Sequence, residues 1–229
     1  MRMIVIVFSN GRSGTNLILE SLRGNSYLKA TEFEEDKLLF KRRTKYPDRY
    51  LTKCDSVYVP DYKYIKAFML LNPEAHIIFT IRHPYDWMLS KLYHGRIGAK
   101  GRTKPADDAT IEGCKADMLW GYTLLLNIEK DFFNRINRIK MESFLRDPEY
   151  VSSLMCKYIG LPYEEAMCTP HLRMRHKGKV EKYGRKLDTS RIDVYKRIDT
   201  EFEGFFDDKK EDVNELFKWA EFLLKEYGY

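Results

Sequence analysis

The stretch that most restricts this chain is Met3-Ile4-Val5-Ile6-Val7-Phe8, followed at once by Ser9-Asn10-Gly11-Arg12-Ser13-Gly14-Thr15-Asn16. An unbroken, β-branched apolar run without alternation is the pattern of a parallel strand buried on both faces, because a strand with one wet face would alternate. Beyond the polar segment, Leu17, Ile18, Ser21 and Leu22 recur at helical spacing, with Glu20 and Arg23 on the other face. The order is strand, glycine loop, helix.

The same order returns further along. His76-Ile77-Ile78-Phe79-Thr80-Ile81 reads as a second buried strand, Arg82-His83-Pro84 as a polar loop, and Tyr85 to His94 as a helix, with Pro84 suited to its first turn. Between the two units lie a basic helical stretch around Asp36 to Tyr46, a short strand near Ser56 to Val59, and a helix from Asp61 to Leu71. Gly95 to Asp108 is rich in Gly, Lys and Arg and reads as a surface loop. Met118, Leu119, Tyr122, Leu125, Leu126 and Phe133 mark a long core helix over Cys114 to Phe133. A strand over Ile136 to Met141, a helix from Asp147-Pro148 to Tyr158, a basic polar segment over Thr169 to Lys186 and an amphipathic helix over Asp207 to Tyr227 complete the reading.

No repeat or linker divides the chain, and its 229 residues suit one domain spanning 1–229. Strands alternating with helices predict an α/β fold with a mainly parallel central sheet flanked by helices. Such folds bind ligands at the carboxyl ends of their strands, where both polar loops fall. A hydrophobic share of 44% excludes disorder for most of the chain. The net charge of +6 suits an anionic ligand and is too small to call for a nucleic-acid partner. Cys54, Cys114, Cys156 and Cys168 are scattered, without the close pairs of a zinc site or the density of a disulfide scaffold, and read as reduced thiols. Met3 to Phe8 is too short for a signal sequence or a membrane span, so a cytoplasmic protein without a membrane partner is expected. His83, His94, His171 and His176 lack metal-ligand spacing, and no metal is expected.

Asn10 to Asn16 places small residues where backbone amides can approach an anion, at a helix N-terminus whose dipole and unpaired N–H groups favour negative charge. Arg12 adds a permanent cation, and Ser13, Thr15 and Asn16 add neutral donors. The alternative is an ordinary strand-to-helix turn capped by Ser or Thr. Neither Gly11 nor Gly14 is followed by Lys-Ser or Lys-Thr, so the ATP- and GTP-binding phosphate loop is not met. There is no G-x-G-x-x-G for a nicotinamide cofactor either.

Gly11-Arg12-Ser13-Gly14-Thr15-Asn16-Leu17 after a first strand resembles the 5′-phosphosulfate loop of sulfotransferases that use 3′-phosphoadenosine 5′-phosphosulfate (PAPS). Ile81-Arg82-His83-Pro84-Tyr85-Asp86 with Ser90 is similar to their 3′-phosphate element, an Arg and a Ser eight residues apart. Ile139 to Phe144, Asp147-Pro148, Tyr158 to Pro162 and the Tyr227-Gly228-Tyr229 ending extend the likeness over nearly the whole chain. Asn16 and Met141 depart from the family, where Thr or Ser and Tyr are usual.

The resemblance implies a P-loop-like sulfotransferase fold, PAPS as co-substrate, and donor binding by Gly11, Arg12, Ser13, Gly14, Thr15, Asn16, Arg82 and Ser90. It extends faintly to Arg175, Lys177 and Gly178, similar to an Arg-Lys-Gly that closes on the 3′-phosphate. For the base that deprotonates the acceptor it implies Glu32, with Glu34 nearby, or Asp55 in Lys53-Cys54-Asp55, where small-molecule enzymes carry Lys-Thr-His. Lys53 is then placed to stabilise the bridging oxygen or the sulfonate, a solvated surface charge being the alternative reading, and Arg12 the leaving group. The resemblance implies an acceptor hydroxyl or amine and leaves open whether it is on a carbohydrate, a small molecule or a tyrosyl group; the basic Asp36–Tyr46 and Gly95–Asp108 stretches point toward a sugar or an anion. Two readings compete: a nucleotide or nucleoside kinase with an atypical phosphate loop, and a non-catalytic polyanion-binding protein.

Overall fold

The computed structural model describes residues 2–30, 39–41, 46, 48–98, 110–173, 179–182, 185–188 and 210–229. Along them run β1 (Ile4–Ser9), α1 (Thr15–Leu22), β2 (Lys29–Ala30), β3 (Tyr50–Asp55), α2 (Tyr62–Leu71), β4 (Ala75–Ile81) and α3 (Pro84–Gly98). Then come α4 (Ile111–Phe132), β5 (Ile136–Lys140), α5 (Met141–Arg146), α6 (Pro148–Ile159), β6 (Lys179–Lys182), β7 (Arg185–Asp188) and α7 (Lys210–Tyr227).

The first five strands form one sheet in the order β2-β3-β1-β4-β5, parallel at every junction. β1 is the central strand and is buried at all six positions, as its unbroken apolar run requires. Successive side chains point to opposite faces. Ile4, Ile6 and Phe8 enter a core shared with α2, α3, α4 and α7, while Met3, Val5 and Val7 enter a second core shared with α1, α5 and α6. The sheet is therefore covered on both sides.

This layering creates the crevice. The loop after β1 leads to α1 on one face, and the loop after the adjacent β4 leads to α3 on the other, so the two part at the carboxyl edge of the sheet.

Several boundaries differ from the sequence reading. The strand expected near Ser56 to Val59 lies earlier, at Tyr50–Asp55, and Ser56–Tyr58 is a short 3₁₀ turn. Tyr50-Leu51-Thr52-Lys53-Cys54-Asp55 shows neither an apolar run nor clean alternation; pairing with β1 makes it a strand, and Lys53 is buried within it. α3 continues to Gly98, taking in the first residues of the expected Gly95–Asp108 loop, whose positions 99–108 lie outside the described residues. Of the helical stretch expected over Asp36 to Tyr46, Leu39–Lys41 forms a 3₁₀ turn and Tyr46 donates from its hydroxyl to the Leu39 carbonyl; its other positions lie outside the described residues. Helix α5 and the antiparallel β6–β7 pair were not anticipated. The four cysteines are free thiols.

Candidate active site

The loop after β1 is held in a conformation that few sequences tolerate. Gly11, Arg12 and Gly14 all lie in the left-handed region, at φ 70°, 55° and 81°. Glycine adopts this without a Cβ penalty, but Arg12 carries the strain of a non-glycine residue there. The surroundings hold it in place. The Gly11 N–H donates to Ser9 Oγ at 2.9 Å, and the Gly11 carbonyl accepts from Trp87 Nε1 at 2.7 Å and Ser13 Oγ at 3.1 Å. Arg82 Nη1 lies 3.5 Å from the Arg12 carbonyl. The capped turn that was the alternative does not form, because the N-cap of α1 is Gly14, with no side-chain cap bond. The first turn of α1 contains no acidic residue of its own.

Close approach explains Gly14. A Cβ there would lie 2.6 Å from Met141 Sδ and 2.8 Å from its Cγ. Met141, one of the two departures from the family pattern, thus fills the space that the glycine leaves open. On the opposite side, Gly121 of α4 lets Asn10 sit where its own Cβ would be, and Asn10 Nδ2 reaches Met118 Sδ at 3.5 Å.

The second loop delivers its cation to the same place. Arg82 follows β4 and is 6% exposed, and Ser90 of α3 is fully buried. Arg12 Nε donates to Ser90 Oγ at 3.3 Å, so Arg12, Arg82 and Ser90 converge although 70 or more positions separate the first from the other two. The Arg12 guanidinium thus stands beside the Ser90 hydroxyl and the Arg82 guanidinium against the Arg12 main chain, a set of forked and neutral donors of the kind that receives a phosphate.

The third contribution comes from β3. Lys53 Nζ donates to Asn16 Oδ1 at 2.9 Å and stands 3.7 Å from Asp55 Oδ2, while Ser9 Oγ donates to Asp55 Oδ1 at 3.3 Å and lies 3.3 Å from Thr15 Oγ1. Asp55 Oδ2 is 3.5 Å from where a Cβ on Gly11 would be. A carboxylate, an ammonium and the donor loop therefore share one edge of the sheet. Asn16, the other departure from the family pattern, is the residue that holds Lys53.

A family profile described as "Sulfotransferase family" matches residues 21–165, more than half the chain. The chain belongs to the sulfotransferase family. The matched span begins after the donor loop, so the loop's conformation and the family match are separate observations. Among solved structures, the sulfotransferase domain from the curacin biosynthetic pathway aligns with a TM-score of 0.62 at 15% identity, covering 96% of this chain and 98% of that one. A mouse sulfotransferase complexed with PAP aligns at 0.59 and 12% identity, covering 94% and 83%, and a sulfotransferase from Alicyclobacillus acidocaldarius at 0.55 and 15%, covering 96% of both. At these identities the structural likeness shows the shared fold. No curated protein matches the chain by sequence.

Of the expected site residues of this sulfotransferase-family chain, the structure brings together Gly11, Arg12, Ser13, Gly14, Thr15, Asn16, Lys53, Asp55, Arg82 and Ser90. Glu32, Glu34, Arg175, Lys177 and Gly178 lie outside the described residues. At the edge of the basic segment, Arg173 is engaged structurally, donating to the carbonyls of Glu20 and Ala166.

Sequence reasoning missed several contributors. Glu142 accepts the His83 N–H at 2.8 Å and the Tyr229 hydroxyl, tying the loop after β4 to α5 and to the end of the described chain. Burial, followed by the Glu142 carboxylate, pushes the Tyr229 hydroxyl well above its ordinary value. Trp87 was visible in sequence only as one apolar position of a helix. Among the described residues, no group of three or more His, Cys, Asp or Glu side chains is arranged to hold a metal ion, and no helix is long and apolar enough to cross a membrane.

Proposed function

We propose that this protein transfers a sulfuryl group from PAPS to a hydroxyl or amine acceptor. The observation that carries the reading is the convergence of Arg12, Arg82 and Ser90 beside the left-handed loop at the start of α1. The loop amides and Arg12 suit the 5′-phosphosulfate, and Arg82 with Ser90 suits the 3′-phosphate. PAP in the mouse relative supports a 3′-phosphorylated nucleotide as the donor. Family membership lends no support to the kinase reading.

In the reaction, a bond forms between the acceptor oxygen or nitrogen and sulfur as the bond from sulfur to the phosphate oxygen of PAPS breaks in line. The acceptor proton passes to a carboxylate, and PAP leaves with the added negative charge. Arg12 and the loop amides are positioned on that charge, where fixed donors are most effective. Lys53 faces the same group. Asp55 is our choice of base, since the described residues bring it to the loop, and Glu32 is the rival.

Carbohydrate, small-molecule and tyrosyl acceptors all fit the chemistry. We place the protein in the cytoplasm, a reading that the four free thiols support. The test is thermal stability with PAP against ATP, GTP and AMP with Mg²⁺. A ligand at about a hundred times its Kd adds roughly 2.7 kcal/mol, or on the order of 5–10 °C for a chain of this size. A rise specific to PAP and lost in Arg82→Ala is expected; a rise matched by ATP would refute the reading.

A further inference from the structure

Among the residues outside the donor loop that hold it, one lies on α3. Trp87 of α3 is 1% exposed, and its indole N–H donates to the Gly11 carbonyl at 2.7 Å. Because the peptide unit is planar and trans, its C=O and N–H point in opposite directions. Drawing the Gly11 carbonyl toward α3 therefore turns the Arg12 N–H away from α3. The same bond anchors the junction between two consecutive left-handed residues, Gly11 and Arg12, the second of which would otherwise relax from its strained φ.

Trp87 is itself clamped. Lys91, one turn further along α3 and 8% exposed, lies 5.8 Å from the centre of the indole ring and is fixed by Asp117 of α4 at 2.7 Å. On its other flank the loop is wedged against α4 through Asn10 and Gly121. An indole held in this way cannot follow the loop if the loop relaxes.

We infer that Trp87 is a positioning residue for donor binding: its N–H holds the loop in the left-handed conformation that turns the Arg12 amide toward the anion. The inference rests on the proposed PAPS site, but the bond it concerns can be read without a donor. The experiment compares wild type with Trp87→Phe, and with Trp87 replaced by benzothienylalanine, which keeps the indole shape and puts sulfur in place of N–H. Hydrogen exchange is followed by mass spectrometry, and PAP binding by calorimetry.

Losing one such bond should weaken PAP about 3- to 10-fold. Exchange should rise in peptides covering residues 9–16, while β4 and α4 stay as protected as in wild type. The benzothienyl protein supplies the answer if Trp87→Phe fails to fold. Unchanged loop exchange, or a PAP affinity within twofold of wild type, would overturn the inference. So would a rise in exchange spread across the whole core, since that marks Trp87 as packing alone. Failure of wild type to bind PAP would instead count against the proposed function, and loop exchange would still decide the role of Trp87.

Discussion

Replacing Gly14 by alanine tests whether the donor loop is shaped by the close approach of α5. Two costs add. An L-residue in the left-handed region costs roughly 1–2 kcal/mol. The new Cβ would also meet Met141 Sδ at 2.6 Å and Cγ at 2.8 Å, an overpacking that typically costs about 1–3 kcal/mol. Gly14→Ala should thus destabilise the protein by about 2–5 kcal/mol. In a Met141→Ala background, which alone costs about 2–5 kcal/mol as a buried truncation, both clashing atoms are gone and Met141 Cβ at 3.4 Å is in ordinary contact. There Gly14→Ala should cost only the left-handed penalty, leaving a coupling of about 1–3 kcal/mol between the two sites. Equilibrium urea unfolding of the four proteins measures it. An equal cost of Gly14→Ala in both backgrounds would refute the steric argument.

Other outcomes follow from the site and the fold. Arg82→Ala should weaken PAP at least 100-fold, and Ser90→Ala, which removes one hydrogen bond to a charged group, about 10- to 100-fold, both by calorimetry. Asp55→Asn should lower kcat by about 10²- to 10⁴-fold with PAP affinity retained; if kcat survives and Glu32→Gln abolishes it, the base is Glu32. Burial, then the charge of Arg135, holds the His76 imidazole below its ordinary value. The unfolded chain therefore binds the proton more readily than the fold does. The stability this contributes is complete above the ordinary histidine pKa and is lost as pH falls through the lowered folded value. Melting temperatures between pH 7.5 and 5 should fall less steeply in His76→Gln than in wild type, and parallel slopes would contradict this.

The sequence alone determined the parts of this protein that depend on composition within one element. The run Ile4 to Phe8 reads as a strand buried on both faces, and the small residues Gly11 and Gly14 read as places where backbone amides can approach an anion at the start of a helix. Arg82 and Ser90, eight positions apart across a proline, were legible as a second anion element only through the resemblance to the sulfotransferase family. What needed the tertiary structure was every relation between elements. β3 escaped notice because Thr52, Lys53 and Asp55 interrupt its apolar pattern; partner strands, rather than its own side chains, make it a strand. A lone Lys53 could be a catalytic cation or a solvated charge on sequence grounds, and only the edge shared by β1 and β3 sets it against Asn16 and Asp55. Trp87 and Met141 carry no chemical signature, and their importance comes from what faces them: the carbonyl of Gly11 and the missing Cβ of Gly14. Local patterns are set by side chains acting on their own backbone, whereas a site is set by distances between strands and helices far apart in the chain, which packing alone decides.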